Sequence, residues 1–343
     1  MTSNPTKILL LTTMVSGALV SVSSNSWFSA WMGLEVNLMS FIPLMSNIKN
    51  MYNTEASLKY FIVQVLASAT LMFAVTMKAT MEGLFTHVET YSTSALICTP
   101  LLMKSGAAPL HWWFPGVMEG LSWENCTWLM TIQKVAPLMI MSYSIENNLF
   151  MTTIIMSSVM IGAIGGLNQT SMRKIMTYSS INHTGWMLMA MITGESMWLL
   201  YFIMYSLLVT TVVMVIKLSK TSFINQMMMV NKESSIMKFM MFSSLLSLGG
   251  LPPFTGFMPK WLVIQSMAIN NLTPMAVLMV VMSLITLYYY LKICYSSFLI
   301  LNTEPKWNLQ AQKPMTNNYT AALILSTISL TGTLLCTTLT NMM

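Results

Sequence analysis

The stretch LLMKSGAAPLHWWFPG, residues 101–116, places Lys104 inside an apolar run and then interrupts that run with Gly106, Pro109 and Pro115. Glycine weakens a helix and proline removes a backbone donor, so both interrupt the helical hydrogen-bond ladder. The stretch GGLPPFTGFMPKW, residues 249–261, repeats this combination with three glycines, three prolines and one lysine. Each stretch therefore predicts an apolar helix that is broken close to a lysine.

The composition predicts an integral membrane protein. Of the 343 residues, 55% are hydrophobic and 8% are charged, whereas about 25% of the residues of an average soluble domain are charged. The net charge of +6 comes from dispersed lysines, so we expect no nucleic-acid partner. The four cysteines form no CxxC pair, and we therefore expect neither a zinc site nor an iron–sulfur site in this chain.

Windows of about 20 mainly apolar residues predict the membrane-spanning helices. They lie at residues 6–24, 27–46, 57–77, 93–114, 121–145, 148–168, 171–192, 196–217, 236–270, 273–297 and 319–339. The window 236–270 contains the second break and is too long for one straight helix, so it forms two spans or one broken span. With one broken span, Lys78 lies opposite all the other basic residues near span ends. Two spans would move Lys292, Lys306 and Lys313 across as well, which the positive-inside rule disfavours.

We therefore predict an all-α polytopic membrane protein with eleven spans, whose N-terminus lies on the positively charged side and whose C-terminus lies on the other. Residues 1–343 are expected to form a single membrane domain made of two five-helix repeats, 6–145 and 148–297, and a last helix, 319–339. Each repeat has its break in the fourth helix, and the odd number of helices inverts one repeat relative to the other. Paired breaks in inverted repeats are typical of a transport site at mid-membrane.

Charged residues in the middle of predicted spans are the candidate functional residues, and they are Glu35, Lys104, Lys134 and Lys260. A charge at the centre of a spanning helix costs about 2.5–3.5 kcal/mol on insertion scales, so such residues face a protein interior or a wet cavity. We interpret them as ion-handling residues, and the alternative is a buried structural ion pair. His183, in SSINHTGWM, fits a buried core histidine when it is taken alone.

Six motifs carry a resemblance to a known family: SNSWFSAWMGLEVNLMSFIPL, TEASLKYFIVQVLAS, LLMKSGAAPLHWWFPGVMEGL, TIQKVAPLMIMSY, IGAIGGLNQTSMRKIMTYSSINHTGWM and LSLGGLPPFTGFMPKWLVIQ. They resemble the antiporter-like membrane subunits of respiratory complex I, the mitochondrial NADH:ubiquinone oxidoreductase. The resemblance implies these roles: Glu35 is the paired acidic residue, Lys104 the channel lysine, Lys134 the central lysine, Lys260 the lysine of the second broken helix, and His183 the histidine of the central hydrophilic axis.

The same resemblance implies proton translocation in the mitochondrial inner membrane, with the N-terminus in the matrix and the C-terminus in the intermembrane space. NADH, FMN, the iron–sulfur clusters and ubiquinone would bind elsewhere in the complex, and this chain would bind no cofactor or metal. Its partners would be the other membrane-arm subunits of complex I and the lipid bilayer.

Two alternatives remain open. A self-standing cation/proton antiporter would be expected to show acidic or hydroxyl-rich ligands at the breaks, where this chain carries lysines. A non-conducting scaffold subunit would allow Leu or Met to replace the mid-span charges without loss of assembly or pumping.

Overall fold

A computed structural model of the protein describes residues 5–46, 50–84, 90–229, 235–295 and 317–332. Within these ranges the chain is helical and contains no β-strand, apart from a single antiparallel bridge between Ser171 and Phe223. The helices are α1 (Pro5–Val22), α2 (Trp27–Met45), α3 (Met51–Leu84), α4 (Thr90–Ser105), α5 (Trp113–Gly120), α6 (Trp123–Met130), α7 (Ile132–Ser142), α8 (Leu149–Gly165), α9 (Met172–Thr193), α10 (Glu195–Ser219), α11 (Ile224–Met229), α12 (Ser235–Gly249), α13 (Phe257–Ile269), α14 (Thr273–Tyr295) and α15 (Asn317–Leu330).

Five of the described helices are long and apolar enough to cross a membrane, namely α1, α2, α3, α10 and α14. Helix α8 and most of α12 and α15 are shorter apolar helices. The predicted all-α membrane fold is therefore confirmed. The total of eleven spans stays a prediction.

Both predicted breaks are present, one between α4 and α5 and the other between α12 and α13. The residue after the first half-helix is Gly106 in one break and Gly250 in the other, with φ of 73° and 79°. In each break the N–H of the following residue donates to a carbonyl five residues earlier. This is the Schellman helix ending, and it selects glycine because a Cβ disfavours the left-handed conformation.

The two breaks share one register, in which each residue of 104–116 has its counterpart 144 positions later. The counterparts of the same type are Gly106 and Gly250, Pro109 and Pro253, and Pro115 and Pro259. In both breaks the last of these prolines is the third residue of the second half-helix. A helix tolerates proline there because the N–H groups of its first turn have no partner within the helix. For the same reason α5 continues past Pro115 to Gly120, beyond the predicted end of the fourth span at residue 114.

The fifth predicted span, 121–145, is not one continuous helix. Thr131 separates α6 from α7 with φ −111° and ψ −80°. Its hydroxyl donates to the Thr127 carbonyl at 2.7 Å, a local bond that bends helices, and Pro137 removes a backbone donor from α7. This second interruption lies three residues before Lys134.

The described helices belong to two compact units, residues 1–161 and 162–343. In the first unit, α7 packs against α1, α2, α4 and α6, and α3 packs against α2, α4 and α5. Glycine brings α1 and α2 close together, since a Cβ at Gly33 would lie 2.6 Å from the Ser21 backbone nitrogen. Helix α7, which carries Lys134, thus lies among four other helices of its unit.

In the second unit, α9 packs against α10 and α13, and α10 packs against α12 and α15. Every residue from Ser179 to Met191 of α9 is buried. A helix that is buried around its whole circumference is a central element of its unit. The buried stretch includes serine, threonine, asparagine and histidine side chains, so polar groups run through this interior.

Candidate functional site

In the first unit, α2 to α7 surround a small cavity with about 20 Å³ of space for the centres of water-sized molecules. It is lined by Leu34, Asn37, Leu38, Tyr60, Gln64, Lys104, Ser105, Trp113, Phe114, Leu129, Gln133, Lys134 and Pro137. Two of the predicted site residues, Lys104 and Lys134, therefore face the same cavity. Its amide, hydroxyl and ammonium groups suit it to hold water.

Lys104 lies in the last turn of α4, directly before the first break, and 7% of its surface is exposed. A cation at this end of a helix interacts favourably with the helix dipole. Side chains bind the carbonyls of the break, since Trp113 Nε1 donates to Met103 O at 3.1 Å and Ser157 Oγ donates to Ala108 O at 3.2 Å. Because these carbonyls are satisfied, the break is a stable edge of the cavity.

Lys134 is almost fully buried, with 2% of its surface exposed. Its Nζ lies 5.1 Å from the centroid of the Phe114 ring, a distance at which an aromatic face attracts a cation. Phe114 is in the first turn of α5, so Lys134 reaches the second half of the broken helix. Lys104 and Lys134 thus approach one break from two different helices.

Glu35 lies on α2 and is half-buried. Its charge acts on Lys104, and its helix neighbours Leu34 and Leu38 line the cavity. Among the described residues, nothing forms a hydrogen bond with the buried Glu35 Oε1 atom. A buried carboxylate oxygen without a donor is costly unless a nearby positive charge compensates it, and Lys104 supplies such a charge.

The cavity also contains neutral polar residues, which the pattern of mid-span charges does not indicate. Gln133 Nε2 donates to Asn37 Oδ1 at 2.9 Å, and the Tyr60 hydroxyl donates to Gln133 Oε1 at 3.4 Å. Gln64 lies one helical turn after Tyr60 and faces the same cavity. Amide side chains inside apolar spans were the available sequence signal for Asn37, Gln64 and Gln133.

In the second unit, Lys260 lies in the first turn of α13 and is 5% exposed. Its Nζ donates to the carbonyl of Gly249, the last residue of α12, at 3.0 Å. The same atom lies 6.0 Å from the centroid of the Trp186 ring. Lys260 therefore bridges the two halves of the second broken helix and satisfies a carbonyl that the helix end leaves without an intrahelical partner.

His183 is buried on α9, and its Nδ1 lies 2.9 Å from the hydroxyl of Tyr201 on α10. The Tyr205 ring lies 5.1 Å from the imidazole, centroid to centroid. Trp186 stands three residues after His183 and therefore lies on the same face of α9. Since the Lys260 ammonium lies near the Trp186 ring, this face of α9 carries His183 and is directed toward Lys260 of α13.

The structure thus sorts the predicted site residues into two groups. Glu35, Lys104 and Lys134 lie together in the first unit, and His183 and Lys260 lie together in the second. Across the ranges that the structure covers, no three His, Cys, Asp or Glu side chains are grouped so that they could hold a metal ion.

Broken apolar helices with buried lysines are typical of membrane proteins that move ions. The family model of the NADH:quinone oxidoreductase/Mrp antiporter membrane domain matches residues 24–286 of this chain. NADH-ubiquinone oxidoreductase chain 2 of Anopheles gambiae is 50% identical over 88% of this chain and 89% of that protein. The same protein of Locusta migratoria is 42% identical over 98% of this chain and 97% of that protein.

Solved structures share the fold. A chain of respiratory complex I from Thermus thermophilus aligns with a TM-score of 0.83 at 23% identity, over 97% of this chain and 79% of that chain. A chain of the Mrp complex from Dietzia sp. aligns with a TM-score of 0.78 at 18% identity, over 96% of this chain and 75% of that chain. The chain belongs to the NADH-ubiquinone oxidoreductase chain 2 family, within the NADH:quinone oxidoreductase/Mrp antiporter membrane proteins.

Proposed function

We propose that this chain translocates protons across the mitochondrial inner membrane as a subunit of respiratory complex I. The observation that carries the proposal is that Lys104 and Lys134 face one polar cavity beside a broken helix. Electron transfer from NADH to ubiquinone takes place in other subunits, where FMN and the iron–sulfur clusters bind, and it drives the movement of protons through this one.

The buried lysines are the proton carriers. Burial disfavours the charged form of a lysine, whereas a neighbouring carboxylate favours it. A lysine in such a site can therefore take up and release a proton. In the first unit Glu35 is the paired acid, Lys104 the channel lysine and Lys134 the central lysine. In the second unit Lys260 is the lysine of the second broken helix, and His183, bonded to Tyr201, is the histidine of the central hydrophilic axis.

The topology that fits this function has eleven spans in two inverted five-helix repeats, with the N-terminus in the matrix and the C-terminus in the intermembrane space. The shared register and shared helix endings of the two breaks support the repeat. Single cysteines introduced at the exposed positions Lys220 and Thr80 test the orientation. A membrane-impermeant label should react with Thr80→Cys in intact inner-membrane vesicles of native orientation. The same label should react with Lys220→Cys only in inverted vesicles. Labelling of Lys220→Cys in native vesicles and of Thr80→Cys only in inverted ones would reject the proposed orientation of the termini.

The partners are the other membrane-arm subunits of complex I and the lipid bilayer. Helix α14 has an apolar face that is exposed in the isolated chain, formed by Val277, Val281, Leu284 and Tyr288. Spacing by three or four residues places these side chains on one side of the helix. Such a face suits lipid tails or an apolar neighbour in the membrane.

The antiporter alternative is less well supported by the chemistry of the breaks. Broken transport helices coordinate cations with carbonyls that the break releases. Here a tryptophan N–H binds the carbonyl of Met103, and the ammonium of Lys260 binds the carbonyl of Gly249. A positive charge already occupies the end of α12 where a sodium ion would have to bind.

Replacing Lys134 by Met tests proton translocation against the scaffold alternative. Methionine keeps the length and removes the charge, so the complex should assemble with normal electron transfer but move fewer protons per electron. The matched control is Lys59→Met, because Lys59 is exposed near a span end and should pump normally. A wild-type ratio of protons to electrons in assembled Lys134→Met complex would contradict the proposal.

A further inference from the structure

Gln64 is a cavity residue whose bonding is incomplete. It is 4% exposed and lines the cavity of Lys104 and Lys134, yet its Nε2 atom has no hydrogen-bond partner within the described part of the chain. A buried N–H without a partner is costly, so nearly all such groups in folded proteins bind protein atoms or ordered water. The Gln64 amide therefore indicates a water-binding position.

The packing of α3 fixes the direction of this amide. Tyr60, Gln64, Ala67 and Leu71 are all buried and follow one another at the spacing of a single helix face. An apolar side chain at position 64 would fill this face without burying a polar group. The amide is compensated only when the cavity next to it contains water.

The other amides of the cavity are already bonded to protein. Gln133 and Asn37 bond each other, and Tyr60 donates to Gln133. These contacts hold α2, α3 and α7 together. Gln64 is thus the cavity amide that can turn both its N–H donors and its carbonyl oxygen toward water.

We propose that Gln64 binds ordered water between Lys104 and Lys134 and so positions a hydrogen-bonded path for a proton between the two lysines. This inference rests on the proposed function. In the transfer, a charged Lys104 gives a proton to the bound water while the water gives another of its protons to a neutral Lys134. One N–H bond breaks and another forms, the water is regenerated, and Gln64 acts as a positioning residue that keeps its own protons.

The first test is a high-resolution density map of the intact complex. Water should lie within about 2.7–3.2 Å of the Gln64 side-chain nitrogen, the ordinary hydrogen-bond distance. A map that resolves waters elsewhere in the membrane arm and none at Gln64 would overturn the proposal. This measurement needs no variant, so it decides the question even if a substitution prevents assembly.

The second test compares Gln64→Met, which keeps the length of the side chain, with Gln64→Asn, which keeps the amide. We expect Gln64→Met to lower protons per electron as much as Lys134→Met does, with no further loss in the double variant, because both act on one path. Gln64→Asn should recover part of the ratio. Gln265→Met, at an exposed position of α13, is the control and should pump normally.

The outcomes separate this inference from the proposed function. A normal ratio in Gln64→Met together with a lowered ratio in Lys134→Met would overturn the role of Gln64 and leave proton translocation standing. Normal ratios in both assembled variants would reject proton translocation by this chain. Additive losses in the double variant would place Gln64 on a path that does not include Lys134, and would also overturn the inference.

Discussion

Replacing Glu35 by Gln should slow proton translocation, because it removes the carboxylate whose charge acts on Lys104. The Glu35 Oε1 atom is buried, and no hydrogen-bond donor in the described ranges contacts it. At an effective dielectric constant near 20, two opposite unit charges attract each other by about 2.8 kcal/mol when they are about 6 Å apart and by about 1.7 kcal/mol at about 10 Å. Moving one charge against 100 mV requires about 2.3 kcal/mol. The interaction is therefore of the size needed to load and release a proton on Lys104.

Glutamine has the size of glutamate and no charge, so the complex should assemble and its packing should persist. Each 1.36 kcal/mol corresponds to a factor of about ten in rate, and we expect turnover against a membrane potential to fall by about tenfold or more. Turnover in the presence of an uncoupler should fall much less. The assay is NADH oxidation with simultaneous measurement of proton uptake in reconstituted complex, with and without the uncoupler.

Two companion variants make the result interpretable. Glu35→Asp keeps the charge on a shorter side chain and should retain part of the coupled rate. Glu55→Gln removes a carboxylate from an exposed position near the start of α3 and should pump like the unmodified complex. Wild-type coupled rates and proton ratios in Glu35→Gln would refute the electrostatic coupling of Glu35 and Lys104.

Two further predictions concern the second unit. Gly256→Ala should prevent accumulation of the complex or lower its melting temperature, because a Cβ at Gly256 would overlap the carbonyl oxygen of Ser247. The control is Gly116→Ala, whose Cβ would meet nothing within 4 Å and which should leave the melting temperature unchanged. Equal melting temperatures of the two variants in thermal-shift measurements would contradict this prediction. Tyr201→Phe should lower the stability by about 1–3 kcal/mol, because it removes the hydroxyl that lies 2.9 Å from His183 Nδ1. The same variant should also lower the number of protons moved per electron. An unchanged ratio of protons to electrons would argue against a role of His183 in the proton path.

The helical membrane fold and its two breaks could be predicted because the membrane makes them conspicuous in sequence. Every polar backbone group in lipid must be hydrogen-bonded, so a membrane-spanning segment is a long apolar helix. Such segments are recognisable as apolar windows in a sequence that is 55% hydrophobic, and clusters of glycine and proline within them mark the breaks. The interruption at Thr131 could not be predicted in this way. A threonine bends a helix only when its hydroxyl binds a backbone carbonyl, and the sequence does not say where that hydroxyl points.

The candidate site was predictable in its charges and not in its grouping. Lys104, Lys134 and Lys260 are prominent because a charge in a spanning helix is costly. That Lys104 and Lys134 share a cavity depends on how α4 and α7 pack, which no local pattern contains. The amides of Gln64 and Gln133 were not predicted, because they carry no charge and a neutral polar group costs less in a spanning helix than a charged one.

The burial of every residue from 179 to 191 of α9 bears on how this chain is inserted into the membrane. With Ser179, Ser180, Asn182 and His183 in its middle, α9 would partition into lipid less readily than its apolar neighbour α10, which is among the helices apolar enough to cross a membrane. In the folded chain α10 and α13 pack against it, and the backbone of α8 at Gly162 lies close to Asn182. Helix α13 begins 64 residues after the end of α9, so we expect α9 to stay beside α8 and α10, away from lipid, until α13 has been synthesised.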